Sequence, residues 1–512
     1  MYDSGGLFSL YIAGLSSVFQ YDVLLALLAG TTLGVVFGAI PGLSAVVGVA
    51  VITPLTFGMN TTMAFAILLG VYCGGVYGGS ISAILLNIPG TACAVMTRLD
   101  GHPMALNGQA GRAIGLATIS SFLGGVLSVI VLALFAPALA NMALELSAQE
   151  YFSVCIFGLS VIVYISHGMM LKGFISAILG LLLATVGTDP IDAYTRFAFG
   201  NTQLIGGLEM IPIMVGIFGV GEVLKMGEQK DIGFEPITKI GKVLTAFKDL
   251  WKHKWSMIRG SLMGVFIGAI PASGGTIAAI LSYGIEKRLA KNPEDLGKGD
   301  PRGIIGPESA NNAGTGGAMI PMLTLGIPGD IVTAILIGAL MLHGLAPGPM
   351  LFKNNPEVVS SIFILMLLAN FMFLVIGLSA AKYFAKIITW PRSILLSLIL
   401  ILTIAGTYGV RNSIFDIWVL FLAGIAGFAM DKVGIPAAPF VLAFVLGKLV
   451  EQYLRRALVL SFGNFWDFFS RPISAFFLVI TFLMIAGPYL FTLAKKMVAF
   501  ALKKGGSLDN HR

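Results

Sequence analysis

Long apolar stretches separated by short polar loops dominate the pattern of hydrophobic and polar positions along this chain. Residues 23–97 contain no Asp, Glu, Lys or Arg. A membrane-spanning helix needs about 20 apolar residues, so the chain has room for about 10–13 transmembrane or re-entrant segments. The apolar positions form continuous blocks, whereas the strands of a membrane β-barrel alternate apolar and polar positions. The pattern therefore predicts an all-α polytopic membrane protein.

Glycine and proline break several of these apolar blocks. Residues 70–96 contain two expected breaks, the first at the glycines between 74 and 79 and the second at Ile88-Pro89-Gly90. Residues 311–330 form a counterpart that ends in Ile327-Pro328-Gly329. Freed backbone groups are tolerated in a membrane only where protein or a water-filled cavity satisfies them. Broken segments at matching places in two halves therefore indicate the binding site of a transporter.

The two halves of the chain resemble each other in sequence. Residues 34–41 and 264–271 agree at six of eight positions, and both end in Gly-Ala-Ile-Pro. The connector 225–259 carries eight basic and four acidic residues, an excess that is typical of a cytoplasmic loop. Only acidic residues precede the first copy, so the charge bias predicts an inverted repeat. The predicted organisation is a first membrane half (1–224), a basic cytoplasmic connector (225–259) and a second membrane half (260–512).

Each break should expose the N-terminus of a following half-helix. Four are expected, after Pro41-Gly42, Pro89-Gly90, Pro271-Ala272 and Pro328-Gly329. Unpaired N–H groups there favour anions, and a solute with two or three carboxylates would suit several converging ends. The predicted substrate-binding residues are Ser44, Ser80, Asn87, Gly90, Thr91, Ser273, Thr276, Asn311, Asn312, Thr315 and Gly329. The predicted cation-coupling residues, for Na⁺ or a proton and no other metal or cofactor, are Gly42, Gly79, Asn87, Asn312, Gly326 and Asp330.

Two structural interpretations compete with these assignments. Small residues in membrane helices usually serve close helix packing, and Ser or Thr often bonds its own backbone. Asp330 follows Pro328-Gly329, where a helix should begin, so it is either an N-cap or an intramembrane acid that binds a cation or proton.

Composition narrows the class of function. The chain is 57% hydrophobic and 11% charged, and its net charge of +7 comes from basic residues in short loops. That distribution is typical of the positive-inside bias and argues against nucleic-acid binding. No H-E-x-x-H, Walker or Gly-x-Ser-x-Gly motif occurs, so we expect no enzyme activity. A pseudo-symmetric ion channel and an integral membrane enzyme remain as alternatives to a transporter.

The chain resembles the large membrane subunit of the tripartite tricarboxylate transporters of bacteria. The matching blocks are residues 38–59, 77–91, 99–111, 268–289, 306–330, 338–352 and 470–478, which include YGGSISAILLNIPGT and GPESANNAGTGGAMIPMLTLGIPGD. The resemblance implies a multi-pass secondary transporter of the bacterial inner membrane that takes up carboxylates with Na⁺ or H⁺. It also implies two partners, a small membrane subunit and a periplasmic solute-binding protein.

Overall fold

The structure is a computed structural model that describes residues 12, 14–165, 170–189, 191–228, 237, 241, 243, 247–271, 273–387 and 391–487. Its first half contains one helical turn, Leu15–Val18, and eight longer helices. These are α1 (Tyr21–Ala39), α2 (Ala45–Ile52), α3 (Thr61–Leu86), α4 (Thr97–Met104), α5 (Ala110–Leu144), α6 (Ala148–Ile165), α7 (Met170–Ala184) and α8 (Met210–Glu228). Two short antiparallel strands, β1 (Gly187–Thr188) and β2 (Thr195–Arg196), form a hairpin between α7 and α8.

The second half contains both long and short helices. They are α9 (Phe247–Lys252), α10 (Lys254–Ala269), α11 (Gly274–Leu289), α12 (Arg302–Leu325), α13 (Ile331–Leu342), α14 (Pro349–Asn354), α15 (Pro356–Ile387), α16 (Arg392–Arg411), α17 (Ile414–Lys432), α18 (Ala437–Leu460), α19 (Asp467–Ser470) and α20 (Pro472–Gly487). Residues 229–236, 238–240, 242 and 244–246 of the predicted connector 225–259 lie outside the described residues.

The helices confirm the predicted fold class. In the described part of the chain, eight helices are long and apolar enough to cross a membrane, and four shorter apolar helices accompany them. Helix α12 has enough residues to span as well, and it is more polar than these helices, yet residues 303–324 are all buried. A polar helix inside an apolar bundle requires its polar groups to be satisfied by protein or by ligand.

The same glycine ladder joins two helices in each half. Glycines four residues apart on α1 face α3, and glycines four residues apart on α10 face α12. A Cβ at any of them would lie 2.2–2.6 Å from a carbonyl oxygen of the facing helix: Gly30 on Ile67, Gly34 on Val71, Gly38 on Gly75, Gly260 on Gly306, Gly264 on Ala310 and Gly268 on Gly314. In each pair, the residue numbers of the glycines and of the residues that they face increase in the same direction along the contact. The two helices of each pair therefore run parallel. Small residues permit this close approach of helix backbones.

The two pairs enter the bundle from opposite faces. We name the face where α1 and α3 begin face A. Helix α3 ends near His102, whose Nδ1 lies 3.0 Å from the carbonyl oxygen of Ile84. Arg112, at the start of α5, forms an ion pair of 2.7 Å with Asp249, just before α10. Helix α10 therefore begins at the opposite face, face B, and the two pairs have inverted orientation.

In each half, the long helix of the parallel pair also packs against a helix of the other half. Helix α3 packs against α15 of the second half, and α12 packs against α5 of the first half. Gly377 on α15 approaches the phenolic hydroxyl oxygen of Tyr77, and Gly124 on α5 approaches the carbonyl oxygen of Ser309. The site described below lies where these two interlocked pairs meet.

One predicted break is wrong. Helix α3 runs without interruption through Gly74, Gly75, Gly78 and Gly79. Instead of opening the backbone, these glycines admit neighbours: a Cβ at Gly74 would lie 2.5 Å from the carbonyl oxygen of Thr31. The glycines between 311 and 317 likewise lie inside the unbroken helix α12. The glycine-rich runs therefore serve close packing, and the real breaks are at the prolines.

Candidate functional site

Four breaks at proline converge on one cavity. We name them elbow 1 (residues 40–44), elbow 2 (87–91), elbow 3 (270, 271 and 273, since 272 lies outside the described residues) and elbow 4 (326–330). The cavity, named cavity 1, has a volume of about 360 Å³. Its polar lining comes from all four elbows and the segments beside them: Ser44, Tyr72, Thr91, Cys93, Ser273, Thr276 and Asp330. The breaks of the two halves therefore share a single polar hollow.

Elbow 1 ends α1 and starts α2. The Ser44 hydroxyl oxygen accepts a hydrogen bond from the backbone N–H of Val47 at 3.4 Å, which caps α2. Gly42 has a φ of 91°, a left-handed conformation that favours glycine, and its nearest neighbour is the side chain of Met226 on α8. Ser44 thus faces cavity 1, whereas Gly42, one of the predicted cation-coupling residues, packs beside α8 and is not part of the cavity lining.

Elbow 2 folds back onto the helix that it ends. Asn87 closes α3 in the left-handed conformation (φ 60°), and its side chain is exposed. The Gly90 N–H donates to the carbonyl oxygen of Gly79 at 3.3 Å. This contact brings Thr91 against Gly79. The residue is 6% exposed, and its hydroxyl oxygen is buried without a hydrogen-bond partner among the described residues. A buried hydroxyl without a partner is available to a bound ligand.

Beyond elbow 2, the expected half-helix does not form. Residues Ala92–Ala94 make one 3₁₀ turn, and the next α-helix, α4, begins only at Thr97. Among the side chains that the structure describes, none caps the turn: Thr91 is extended there, and its hydroxyl accepts no N–H of the turn. The prediction of a helix N-terminus at this elbow is therefore wrong, and the elbow offers a hydroxyl instead.

Elbow 3 leaves the start of α11 without a side-chain cap. The Ser273 hydroxyl donates to the carbonyl oxygen of Ile270 at 2.8 Å, so it closes the end of α10. In the described part of the chain no side chain accepts from the first turn of α11. Thr276, in that turn, contacts Cys93 across the cavity at 3.4 Å between its Oγ1 and the sulfur. The first turn of α11 therefore presents free N–H groups and a hydroxyl beside the first half.

Elbow 4 carries the only charged side chain in the described lining of cavity 1. Gly326 ends α12 in the left-handed conformation (φ 71°). Asp330 then caps α13: one carboxylate oxygen accepts the Thr333 N–H at 2.7 Å, and Thr333 bonds back to the Asp330 N–H. The other carboxylate oxygen accepts the Tyr72 hydroxyl at 2.6 Å. Asp330 is thus both an N-cap and an acid facing cavity 1.

The remaining predicted residues lie outside the cavity lining. Ser80 donates to the carbonyl oxygen of Tyr77 at 2.8 Å, and Thr315 donates to that of Asn312 at 2.7 Å. Gly90 and Gly329 are packing points, because a Cβ would lie 1.9 Å from the Gly38 carbonyl oxygen or 2.5 Å from the Ala318 Cα. The structure brings five predicted residues to the cavity wall (Ser44, Thr91, Ser273, Thr276 and Asp330). The other ten predicted residues lie outside the described lining: Gly42, Gly79, Ser80, Asn87, Gly90, Asn311, Asn312, Thr315, Gly326 and Gly329.

Asn311 and Asn312 belong to a second polar group inside α12. Both side chains are fully buried, and each keeps one atom, Nδ2 of Asn311 and Oδ1 of Asn312, without a hydrogen-bond partner in the described part of the chain. One turn earlier, Glu308 accepts hydrogen bonds from Thr97 on α4 and from Ser121 on α5 at 2.7 Å. The Glu308 side chain is fully buried, like those of Asn311 and Asn312.

Sequence reasoning also missed part of the wall. Helix α18, outside the paired elbows, contributes Pro436, Ala438, Pro439 and Leu442. Two prolines within four residues were the available signal. Tyr72 and Cys93 had no signal, because an apolar helix gives no indication of which face meets a cavity.

The lining determines what cavity 1 can bind. No Lys, Arg or His belongs to its described lining, so an anion there would be held by hydroxyls and by the free N–H groups of α11. Within the described lining, a cation would be held by the Asp330 carboxylate together with hydroxyl and backbone carbonyl oxygens. No group of three or more His, Cys, Asp or Glu able to hold a metal occurs among the described residues.

Comparison with known proteins agrees with this architecture. The family model for the tripartite tricarboxylate transporter TctA family matches residues 24–442. An uncharacterized 52.8 kDa protein from the TAR-I ttuC' 3' region of Agrobacterium vitis is 36% identical over 451 residues, covering 88% of this chain and 90% of that protein. A protein from the TAR-II ttuC' 3' region of the same organism is 38% identical over 212 residues, covering 41% of this chain and 88% of that protein. No solved structure matches the chain significantly. The chain therefore belongs to the tripartite tricarboxylate transporter TctA family, as a multi-pass membrane protein.

Proposed function

We propose that this chain is the membrane permease subunit of a binding-protein-dependent tripartite system. It takes up dicarboxylates or tricarboxylates by cation symport across the bacterial inner membrane. Its partners are a small membrane subunit and a periplasmic solute-binding protein, and it catalyses no chemical reaction. Family membership supports the transport role, and the excess of basic residues in the connector after α8 supports a cytoplasmic face B.

The observation that carries this proposal is the convergence of four elbows from inverted halves on cavity 1. A substrate carboxylate binds the free N–H groups at the start of α11 and the hydroxyls of Thr276 and Thr91. Ser44 and the dipole of α2 face a second carboxylate. Helix N-termini stabilise negative charge, which compensates for the absence of basic side chains in the described lining.

Inverted pairs also supply a route for alternating access. Because α1 to α3 and α10 to α12 enter from opposite faces, motion of one half against the other exposes the shared cavity to each face in turn. The contact between Cys93 and Thr276 crosses this boundary. We propose that it separates when the cavity opens.

Thiol labelling tests where the substrate binds. Cys93 is partly exposed in cavity 1, whereas Cys73 and Cys155 are buried, so a methanethiosulfonate reagent should modify Cys93 first. Citrate, the probe, should slow this modification at least tenfold in membrane vesicles. Cys93→Ala should show no citrate-sensitive labelling. Equal labelling rates with and without citrate would contradict binding in cavity 1.

Uptake separates a transporter from the two alternatives. Citrate uptake into vesicles should be saturable, require an ion gradient and vanish without the solute-binding protein. Thr91→Ala should reduce it at least tenfold. Ser120→Ala is the matched control, because the Ser120 hydroxyl is also buried and unpaired but lies outside the cavity lining. Steady ion conductance without solute, or conversion of citrate to another compound, would overturn the proposal.

A further inference from the structure

We propose that Glu308 carries the coupling proton of this transporter, in a buried site separate from cavity 1. This inference rests on the proposed function and names the group that links an ion gradient to the substrate. Glu308 is on α12, six residues after its start at face B, or about 9 Å along the helix axis. Its side chain is fully buried between α4, α5 and α12.

The partners of Glu308 are neutral. The Thr97 hydroxyl donates to one carboxylate oxygen, and the Ser121 hydroxyl donates to the other at 2.7 Å. Among the described residues no Lys, Arg or His lies within ion-pair distance of Glu308, unlike buried Glu286 on α11, whose Arg259 partner lies at 2.8 Å. A buried carboxylate without a cation is costly, so the carboxyl group is stable when it holds a proton.

The hydroxyl partners fit both protonation states. A hydroxyl can donate to a carboxylate or, after rotation, accept from a carboxylic acid. A hydronium ion on one side therefore gives its proton to a carboxylate oxygen of Glu308, which forms an O–H bond and leaves a water molecule. That O–H bond breaks when the proton passes to a water molecule on the other side, and the carboxylate is restored. The unpaired amide atoms of Asn311 and Asn312, one turn further along α12, provide further polar partners for a transient water.

The surroundings of Glu308 contain few other groups that could take this role. Two neutral groups that interact with Glu308 are Tyr77 on α3 and Cys93 on the 3₁₀ turn. Asp100 on α4 is held by the Tyr283 hydroxyl and by three backbone N–H groups of residues 297–300. The other charged and titratable side chains on α12 and on the elements packed against it are Tyr72, Cys73, Arg98, His102, Arg112, Lys254, Arg259, Tyr283, Glu286, Lys287, Arg288, Arg302, Asp330 and Lys353.

Cavity 1 and Glu308 are connected through one short segment. Cys93 lines cavity 1 and is close enough to both Glu308 and Asp330 to interact with them electrostatically. Thr97, which bonds Glu308, begins α4 four residues later. When substrate displaces the 3₁₀ turn, Thr97 moves with it and the environment of Glu308 changes. This shared segment is how substrate and proton binding influence each other.

Infrared spectroscopy of the purified full chain in lipid tests the protonation directly. Wild type should show the C=O stretch of a protonated carboxyl in mildly acidic buffer, and alkaline buffer should remove it. Glu308→Gln should lack this band. Glu286→Gln should keep it, because Glu286 is paired with Arg259. A spectrum of Glu308→Gln that equals the wild-type spectrum would overturn the proposal.

Transport then tests coupling. In proteoliposomes with the solute-binding protein, Glu308→Gln should still exchange internal for external citrate but should lose at least tenfold of proton-driven accumulation. Accumulation equal to wild type, or a wild type driven by Na⁺ alone and unaffected by a pH gradient, would overturn the proposal. If wild type neither exchanges nor accumulates citrate, the proposed function fails, and the infrared result still decides whether Glu308 is protonated.

Discussion

Elbows 2 and 4 share Ile-Pro-Gly but end differently. Each follows a left-handed residue, Asn87 or Gly326, that ends a long buried helix. After elbow 4, Asp330 starts a full α-helix; after elbow 2, Thr91 starts only a 3₁₀ turn. Two copies of one motif have therefore become a capped helix in one half and a free hydroxyl in the other.

The residue after the glycine explains the difference. Asp330 and Thr333 form a capping box in which both side chains bond backbone N–H groups. At the equivalent places Thr91 and Ala94 form no such pair. Capping stabilises the start of a helix by about 1 kcal/mol, which is enough to select between a helix and a turn. The two elbows therefore show that equivalent backbone segments of a pseudo-symmetric protein can present different functional groups.

The largest expected effect comes from the elbow glycines. Gly90→Ala places a Cβ 1.9 Å from the Gly38 carbonyl oxygen, and Gly329→Ala places one 2.5 Å from the Ala318 Cα. We expect each to reduce the free energy of unfolding by about 3 kcal/mol, since backbone cannot yield as a side chain can. Gly284→Ala, with no atom within 4 Å, is the matched control. Thermal unfolding in detergent measures this, and equal midpoints for all three variants would refute the packing argument.

The second largest expected effect is the loss of stability when the helix cap of elbow 4 is removed. Asp330→Ala removes the capping box and leaves the Tyr72 hydroxyl without its acceptor, so we expect a loss of about 2 kcal/mol. Thr91→Ala removes a hydroxyl that has no described partner and should leave the unfolding midpoint nearly unchanged. The same unfolding assay compares them. Equal destabilisation by both substitutions would mean that the two elbows do not differ in capping.

Charge at elbow 2 gives a third comparison. Thr91→Asp copies the residue of elbow 4 and adds a negative charge to cavity 1. It should reduce citrate uptake at least tenfold, because the introduced carboxylate repels the carboxylates of citrate. A tenfold loss of affinity corresponds to about 1.4 kcal/mol of binding free energy. Thr91→Asn introduces a side chain of nearly the same shape as aspartate but without its charge, so it should reduce citrate uptake less. Equal uptake by the two variants would argue against an anion at this elbow.

The smallest effect should occur where the two elbows begin. Asn87→Gly copies Gly326 and keeps the left-handed conformation at no steric cost, whereas Asn87→Ala should cost about 1 kcal/mol. Because the Asn87 side chain is exposed and does not line cavity 1, Asn87→Gly should retain citrate uptake. Loss of uptake in the glycine variant, with normal unfolding, would instead assign Asn87 to the binding site.

The sequence by itself determined the membrane class, the family, the paired proline elbows and several cavity residues. Those features depend on local properties: apolar length, the missing N–H of proline, and hydroxyls beside a helix start. Ser44, Ser273 and Thr276 could be predicted because they follow a proline that ends a helix.

Only the tertiary structure decided what the glycine runs do and where the acids lie. A run such as Gly74 to Gly79 permits either a break or close packing, and the facing helix α1 selects packing. Glu308 becomes a buried acid only because α4 and α5 enclose it, and α18 closes cavity 1 from a distant part of the chain. Local sequence sets which conformations a segment can adopt, but the choice among them is made by the partner that packs against it.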